Sequence, residues 1–213
     1  MRKIFLALAL TGSAWATPAQ WTNAIDAFTQ ADALHAPARD AVLFIGSSSI
    51  VKWQSLVQDF PGLATINRGF GGSELADSVF YLDRIAIPYH PRVVVLYAGE
   101  NDLNAGKSPE TVAADFAEFC AKLHVALPTT RLVYIGIKPS PSRWKIHEKM
   151  QRANALIAAL CAKDKRRTFL DVWQPMLDPQ GQPRPELFVA DMLHMKPAGY
   201  AIWTPLLTPL LQQ

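Results

Sequence analysis

Four short stretches carry residue types that can do acyl chemistry: Gly46-Ser47-Ser48-Ser49, Asn67-Arg68-Gly69-Phe70-Gly71-Gly72, Gly99-Glu100-Asn101-Asp102 and Asp191-Met192-Leu193-His194. A serine hydroxyl is a weak nucleophile until a base takes its proton. Histidine is the side chain suited to that work near neutral pH. Asp191 and His194 stand three residues apart, so a turn can set the carboxylate against one imidazole nitrogen and leave the other free. Ser48, placed after a strand and at the start of a helix, would be exposed beside unpaired backbone N–H groups. The glycine-rich turn and Asn101 offer an unobstructed N–H and an amide donor, which with the N–H of Ser48 can hold a developing oxyanion. Such a set requires no metal and no organic cofactor. Taken singly, each stretch is ordinary: a serine triplet in a loop, a tight glycine turn, a cap, a surface ion pair. Their order and their place at strand ends make them a set.

The elements that must position these residues follow from the apolar pattern. Continuous apolar runs suit strands buried on both faces. They occur at 41–45, stopped by Gly46, at 92–97 and at 131–135, with weaker strands at 64–67 and 168–172. Trp21, Ile25 and Phe28 mark a helix over 18–34 that His35-Ala36-Pro37 ends. Leu75, Val79 and Leu82 mark a shorter one. Ser108-Pro109-Glu110 is a helix start, followed by Val112, Phe116, Phe119, Leu123 and Leu127 on one face. Met150, Ala153, Ile157 and Leu160 mark the next. A last helix begins near Pro197, and Pro205 should kink or end it. This alternation is that of an α/β fold, a parallel sheet with helices on both faces. Right-handed crossovers then bring all strand C-termini to one edge, where ligands bind in such sheets. No linker, charge run or repeat divides residues 17–213, so one domain is expected.

The combination resembles the SGNH hydrolases, the GDSL-type esterases and lipases, from about Ala41 to Leu210. The family's Gly-Asp-Ser block is similar to Gly46-Ser47-Ser48, its glycine-rich block to Asn67–Gly72, its Gly-x-Asn-Asp block to Gly99–Asp102, and its Asp-x-x-His block to Asp191–His194. The resemblance implies a three-layer α/β/α sandwich, flavodoxin-like, built here on the five parallel strands. It implies Ser48 as nucleophile in a triad with His194 and Asp191, and an oxyanion hole from Ser48, Gly72 and Asn101. One position departs: Ser47 stands where the family has aspartate, which leaves a register question among Ser47, Ser48 and Ser49. Spacing from Gly46 favours Ser48. The chain lacks the Gly-x-Ser-x-Gly elbow of the larger α/β-hydrolases. The expectation is a secreted serine esterase working through an acyl-enzyme, with no cofactor. A carbohydrate O-acetylesterase, a lysophospholipase or a thioesterase would use the same site. A binding module that lost the chemistry is the reading of another class, and every catalytic position holds a competent residue against it.

The chain has 213 residues, 50% of them hydrophobic and 18% charged, with a formal net charge of +3. That supports a packed core and excludes wholesale disorder. Residues 1–16 read as a targeting segment: Arg2 and Lys3, an apolar run from Ile4 to Leu10, and an Ala14-Trp15-Ala16 cleavage site. Without those two charges the remainder is nearly neutral, with no electrostatic footprint for nucleic acid. The apolar run is too short to span a bilayer, which takes about 20 residues. A secreted or periplasmic protein without stable membrane insertion is expected, acting on a small-molecule, glycan or lipid ester. Export permits a Cys120–Cys161 bridge if their helices are neighbours, the alternative being two small buried residues. His35, His90, His124 and His147 show no partner pattern, Arg68 reads as a surface or pairing residue, and Asp102 as structural. Glu100, in the variable place of its block, receives no role, and Trp144 in the Lys138–Arg143 loop region is the best pocket candidate among the tryptophans.

Overall fold

The computed structural model of the chain describes residues 18–212, so the targeting segment expected at 1–16 lies outside the described residues. A helical turn, Pro18–Trp21, leads into α1 (Thr22–Leu34). Then follow β1 (Val42–Gly46), α2 (Ser48–Val51), α3 (Leu56–Asp59), β2 (Thr65–Gly69), α4 (Leu75–Phe80) and α5 (Leu82–Ile85). The second half runs β3 (Val93–Tyr97), α6 (Glu100–Asn104), α7 (Pro109–Ala126), β4 (Arg131–Ile135), α8 (His147–Cys161), β5 (Arg167–Leu170) and α9 (Pro197–Leu211).

The strands form one sheet in the order β2-β1-β3-β4-β5, with every neighbouring pair parallel. On one face, Leu43, Ile45, Val94, Leu96 and Tyr134 pack with Ile25, Leu75, Phe116 and Ile157. On the other, Val42, Phe44, Val93 and Val95 pack with Trp53, Phe60, Trp203 and Leu207. The chain is therefore the three-layer α/β/α sandwich. Both faces of β1 and β3 are covered and all their residues are buried, which is why they read as unbroken apolar runs. Trp53 anchors the second face, with ring centroids 5.7 Å from Phe44, 4.9 Å from Tyr200 and 5.8 Å from Trp203. Truncating a side chain so placed costs about 3–5 kcal/mol.

The strand order reverses between β1 and β3. After β1 the chain passes to the Trp53 face, and after β3 it passes to the opposite face through Leu103 and Val112. The two connections diverge and leave a crevice at the strand C-termini. Gly46 pairs with Gly69 on one side and Tyr97 on the other, so β1, β2 and β3 end level at that crevice.

Two local expectations are corrected. The helix from Pro197 does not stop at Pro205 but runs on to Leu211, with Pro205 and Pro209 inside it. Ala201, Pro205 and Pro209 all lie on its exposed face, so the carbonyls that lose a donor face water. Tyr200, Trp203, Leu207 and Leu211 hold the buried face. The segment expected as one helix around Leu75, Val79 and Leu82 is two, broken at Tyr81. Cys120 and Cys161 lie on the packed pair α7 and α8 as unbonded, buried thiols, and burial pushes both up to about 12. Trp144 stacks on His147 and Trp173, with centroids 4.5 Å and 5.9 Å away, and packs against the core.

Candidate active site

Ser48 is placed by the end of β1. Gly46 has a φ of 136°, and a Cβ there would lie 1.9 Å from the carbonyl oxygen of Tyr97, so only glycine lets the chain turn here. The N–H of Ser47 donates to that same carbonyl at 3.0 Å, and Ser48 opens α2. The helix is held from two sides. Asn67 Nδ2 donates to Ile50 O at 2.7 Å, and the Tyr200 hydroxyl donates to Ser49 O at 2.9 Å. Ser47 and Ser49 are buried, at 3% and 2% exposure, while Ser48 faces the crevice half-buried.

His194 reaches Ser48 from the far end of the chain. Its Nε2 lies 2.9 Å from Ser48 Oγ, and its Nδ1 lies 2.6 Å from Asp191 Oδ2. The loop that carries them is shaped by its own backbone. Asp191 Oδ1 accepts the N–H groups of Leu193 and His194, each at 2.9 Å, and Met192 takes a φ of 57° between them. The N–H of Val189 donates to His194 O at 2.8 Å, closing the loop on itself. Partial desolvation favours a neutral Asp191, but the hydrogen bonds from the imidazole and the two N–H groups outweigh it and hold the carboxyl well below the usual carboxylate range. An ionised carboxylate only accepts, so Nδ1 carries the imidazole proton and Nε2 is left to accept from the Ser48 hydroxyl.

The glycine turn and Asn101 lie beside this trio. A Cβ on Gly71 would be 3.9 Å from the Cβ of Ser48, so the turn passes directly by the serine. Gly72 has a φ of 81°, and a Cβ there would press on Trp21 at 3.2 Å. Asn101 Nδ2 donates one of its protons to Ser73 O at 3.0 Å, which keeps the amide against the turn. Asp102 supports the same turn from beneath: both its oxygens accept the N–H of Leu75 at 3.1 Å, and Lys107 Nζ lies 3.1 Å from Oδ1. Burial pushes Asp102 up to about 6, with Lys107 and the Leu75 N–H opposing. Ser48 is the first residue of α2, where a backbone N–H has no intrahelical acceptor. A serine, a histidine, a carboxylate and several N–H donors are thus gathered at one sheet edge. A cleft of about 380 Å³ opens beside them, lined by His194, Tyr200, Lys52, Lys196, Gln54 and Val189. The larger cleft of about 580 Å³ follows the exposed face of α9 and shares no residue with the site. Among the described residues, no group of three or more His, Cys, Asp or Glu could hold a metal ion.

Residues 43–202 match the profile of the GDSL-like Lipase/Acylhydrolase family, well over half of the chain. The chain belongs to this family. Membership of the GDSL-like family carries the general class of ester hydrolase. The sequence is 28% identical over 173 residues to the platelet-activating factor acetylhydrolase IB subunit alpha1 of Pongo abelii, covering 75% of this chain and 70% of that protein. A GDSL-like lipase of Bacteroides thetaiotaomicron superposes with a TM-score of 0.74 at 20% identity, over 88% of this chain and 97% of that one. An acetylxylan esterase of Geobacillus stearothermophilus superposes at 0.64 and 13% identity, over 82% and 95%. At these identities the superpositions show a shared fold alone.

Neighbouring residues complete the site's surroundings. Arg68 is a pairing residue: it bonds Asp32, donates to the Tyr89 hydroxyl at 2.7 Å and lies over the rings of Phe28 and Tyr89, tying the end of β2 to α1. His147 Nδ1 meets Trp144 O at 2.8 Å, and His124 Nε2 meets Thr130 O at 3.2 Å while its buried Nδ1 has no hydrogen-bond partner. Glu100, given no role from sequence, is buried in an ionic cluster next to Asn101. Among the described residues, no helix is long and apolar enough to cross a membrane.

Proposed function

We propose that the protein is an exported carboxylic ester hydrolase that works through an acyl-enzyme on Ser48. His194 takes the Ser48 proton as the hydroxyl oxygen attacks the ester carbonyl. Asp191 keeps the imidazole in the tautomer that accepts at Nε2 and supports the imidazolium once it forms. The carbonyl oxygen becomes an oxyanion, received by the N–H groups of Ser48 and Gly72 and by the second proton of the Asn101 amide. When the tetrahedral intermediate collapses, the C–O bond to the alcohol breaks and His194 returns its proton to the leaving oxygen. Water then attacks the acyl-serine by the same route and releases the acid. The observation that carries this reading is the pair of contacts on one imidazole, 2.9 Å to Ser48 Oγ and 2.6 Å to Asp191 Oδ2.

The names of two relatives, an acetylhydrolase and an acetylxylan esterase, make acetyl esters the first substrates to try. Longer acyl chains, lysophospholipids and thioesters belong in the same panel. Export rests on Arg2, Lys3, the apolar run after them and the Ala14-Trp15-Ala16 site. N-terminal sequencing of the protein recovered from the expressing cell's periplasm or medium checks it: Thr17 is the expected first residue. The catalytic reading is tested by Ser48→Ala. Turnover of p-nitrophenyl acetate should fall to background while the circular dichroism spectrum and Tm stay native. Unchanged turnover in that variant would end the assignment.

A further inference from the structure

We propose that the buried Glu100–Lys138 pair is a positioning element that holds the two arms of the active site in register: the Asn101 arm and the Asp191–His194 arm. The proposal rests on the catalytic reading above and adds residues that the reading does not use. Glu100 lies between Gly99 and Asn101, and its side chain is 6% exposed; that of Lys138 is 1% exposed. Lys138 Nζ donates to Glu100 Oε2 at 2.6 Å, the Tyr97 hydroxyl donates to the same oxygen at 2.9 Å, and the Ser140 hydroxyl donates to Oε1 at 2.9 Å. Lys138 also donates to the Tyr97 hydroxyl at 3.2 Å and sits 5.3 Å from the centre of its ring. Both carboxylate oxygens are thereby occupied, so Glu100 is not available as an acid or base for the ester.

Burying two opposite charges is a poor route to stability, because desolvation cancels much of the attraction and an apolar pair of equal volume serves as well. Directional bonds do what an apolar pair cannot: they fix orientation. The orientation fixed here spans the site. On one side, Glu100 is bonded in the chain to Asn101, whose amide lies against Ser73 O at 3.0 Å, in the turn that carries Gly72. On the other side, Lys138 and Ser140 begin a segment, Lys138-Pro139-Ser140-Pro141-Ser142, stiffened by two prolines with fixed φ. The N–H of Ser142 donates to Met192 O at 3.0 Å, between Asp191 and His194. A short path of covalent and hydrogen bonds therefore joins the oxyanion amide to the acid–base loop, and Glu100 is its central joint. Lys138 has a second effect. It neutralises a carboxylate one residue from the donor that must receive negative charge.

The test compares Glu100→Gln, Lys138→Met, the double variant and Ser140→Ala in the full chain with p-nitrophenyl acetate. Misplacing a reacting geometry by about 1 Å costs about 10²-fold in rate. Glu100→Gln should lower kcat by about 10- to 100-fold and leave KM within about threefold, measured well below its Tm. Pairing it with Lys138→Met should restore Tm, since no charge is then left unpaired, but should not restore kcat. Ser140→Ala removes one hydrogen bond and keeps the ion pair, so it reads the same path if the charge variants do not fold; its kcat should fall by about 3- to 10-fold, measured well below a Tm lowered by only a few degrees. A kcat within twofold of native in folded Glu100→Gln or in Ser140→Ala would overturn the proposal. So would a double variant that recovers kcat together with Tm, which is the behaviour of a purely structural pair. An inactive native chain would overturn the catalytic reading and this proposal with it, whereas an active native chain with indifferent variants removes the proposal alone.

Discussion

Replacing Asp191 by asparagine isolates what the acid does, because the loop should survive the change. Asp191 Oδ1 accepts the N–H groups of Leu193 and His194, and an asparagine oxygen can do the same. The other atom changes from an acceptor to an N–H donor, facing His194 Nδ1 across what is now 2.6 Å. Nδ1 must then be the bare nitrogen and the proton moves to Nε2, where the Ser48 hydroxyl needs an acceptor. The imidazole regains the useful tautomer only if the amide flips, which loses two backbone hydrogen bonds of about 1 kcal/mol each. The charge-assisted bond to the imidazolium, worth about 2–3 kcal/mol, is lost in either case. The barrier should therefore rise by about 4 kcal/mol, or about 10³-fold in kcat. A fully buried triad aspartate is worth about 10⁴-fold. Asp191 is 46% exposed, so water partly replaces it and the smaller figure applies. Initial rates with p-nitrophenyl acetate, taken alongside thermal melts, measure the effect. A folded Asp191→Asn chain with kcat within fivefold of native would refute the role given to the acid.

Asn101→Ala should lower kcat by about 10²-fold with little change in KM, since the amide serves the oxyanion more than the ester; a rise in KM alone would contradict this. Gly72→Ala should lower Tm by about 4 °C or more, because a Cβ at φ 81° costs about 1–2 kcal/mol and presses on Trp21; a melt at the native temperature would show the turn is not so constrained. Asp102 gives a pH signature. Burial pushes its folded carboxyl up to about 6 from the ordinary aspartate value of 3.8, so the native state keeps a proton that the unfolded chain has lost. The stability this proton supplies is fully present below about pH 4 and is lost as pH rises through about 6. Relative to Asp102→Asn, the native chain should therefore lose Tm between pH 4 and 7, and a constant difference across that window would contradict the assignment.

What was legible in the sequence depended on how local its cause is. β1, β3 and β4 are covered on both faces, so their runs of Val, Leu and Ile stood out, and β4 runs Arg131–Ile135 as expected. The start of α7 was legible because Ser108 caps it with its own side chain, accepting the N–H of Thr111 at 3.0 Å. The strand-end placement of Ser48, Gly72 and Asn101 followed from the alternation of elements, because parallel crossovers bring strand C-termini to one edge. The choice among Ser47, Ser48 and Ser49 turned on a single residue's orientation after Gly46, which spacing suggests and backbone geometry decides. The continuation of α9 past Pro205 was not legible, because it depends on which face of the helix meets water. The side-chain partners of Arg68 and Lys138 were not legible either: Arg68 and Asp32 are 36 residues apart, Lys138 and Glu100 are 38 apart, and no local period or shared motif links them. An isolated lysine directly after an apolar strand, as in Ile135-Gly136-Ile137-Lys138, was the one available hint of a buried charge.

Mapping of a covalent adduct reaches the central claim most directly. The native chain is treated with a fluorophosphonate, digested, and the modified peptide is sequenced by mass spectrometry. A single adduct on Ser48, abolished in Ser48→Ala and strongly slowed in His194→Ala, is the expected result. An adduct on Ser47 or Ser49, or a folded chain that takes up no label at any pH between 6 and 9, would contradict the account.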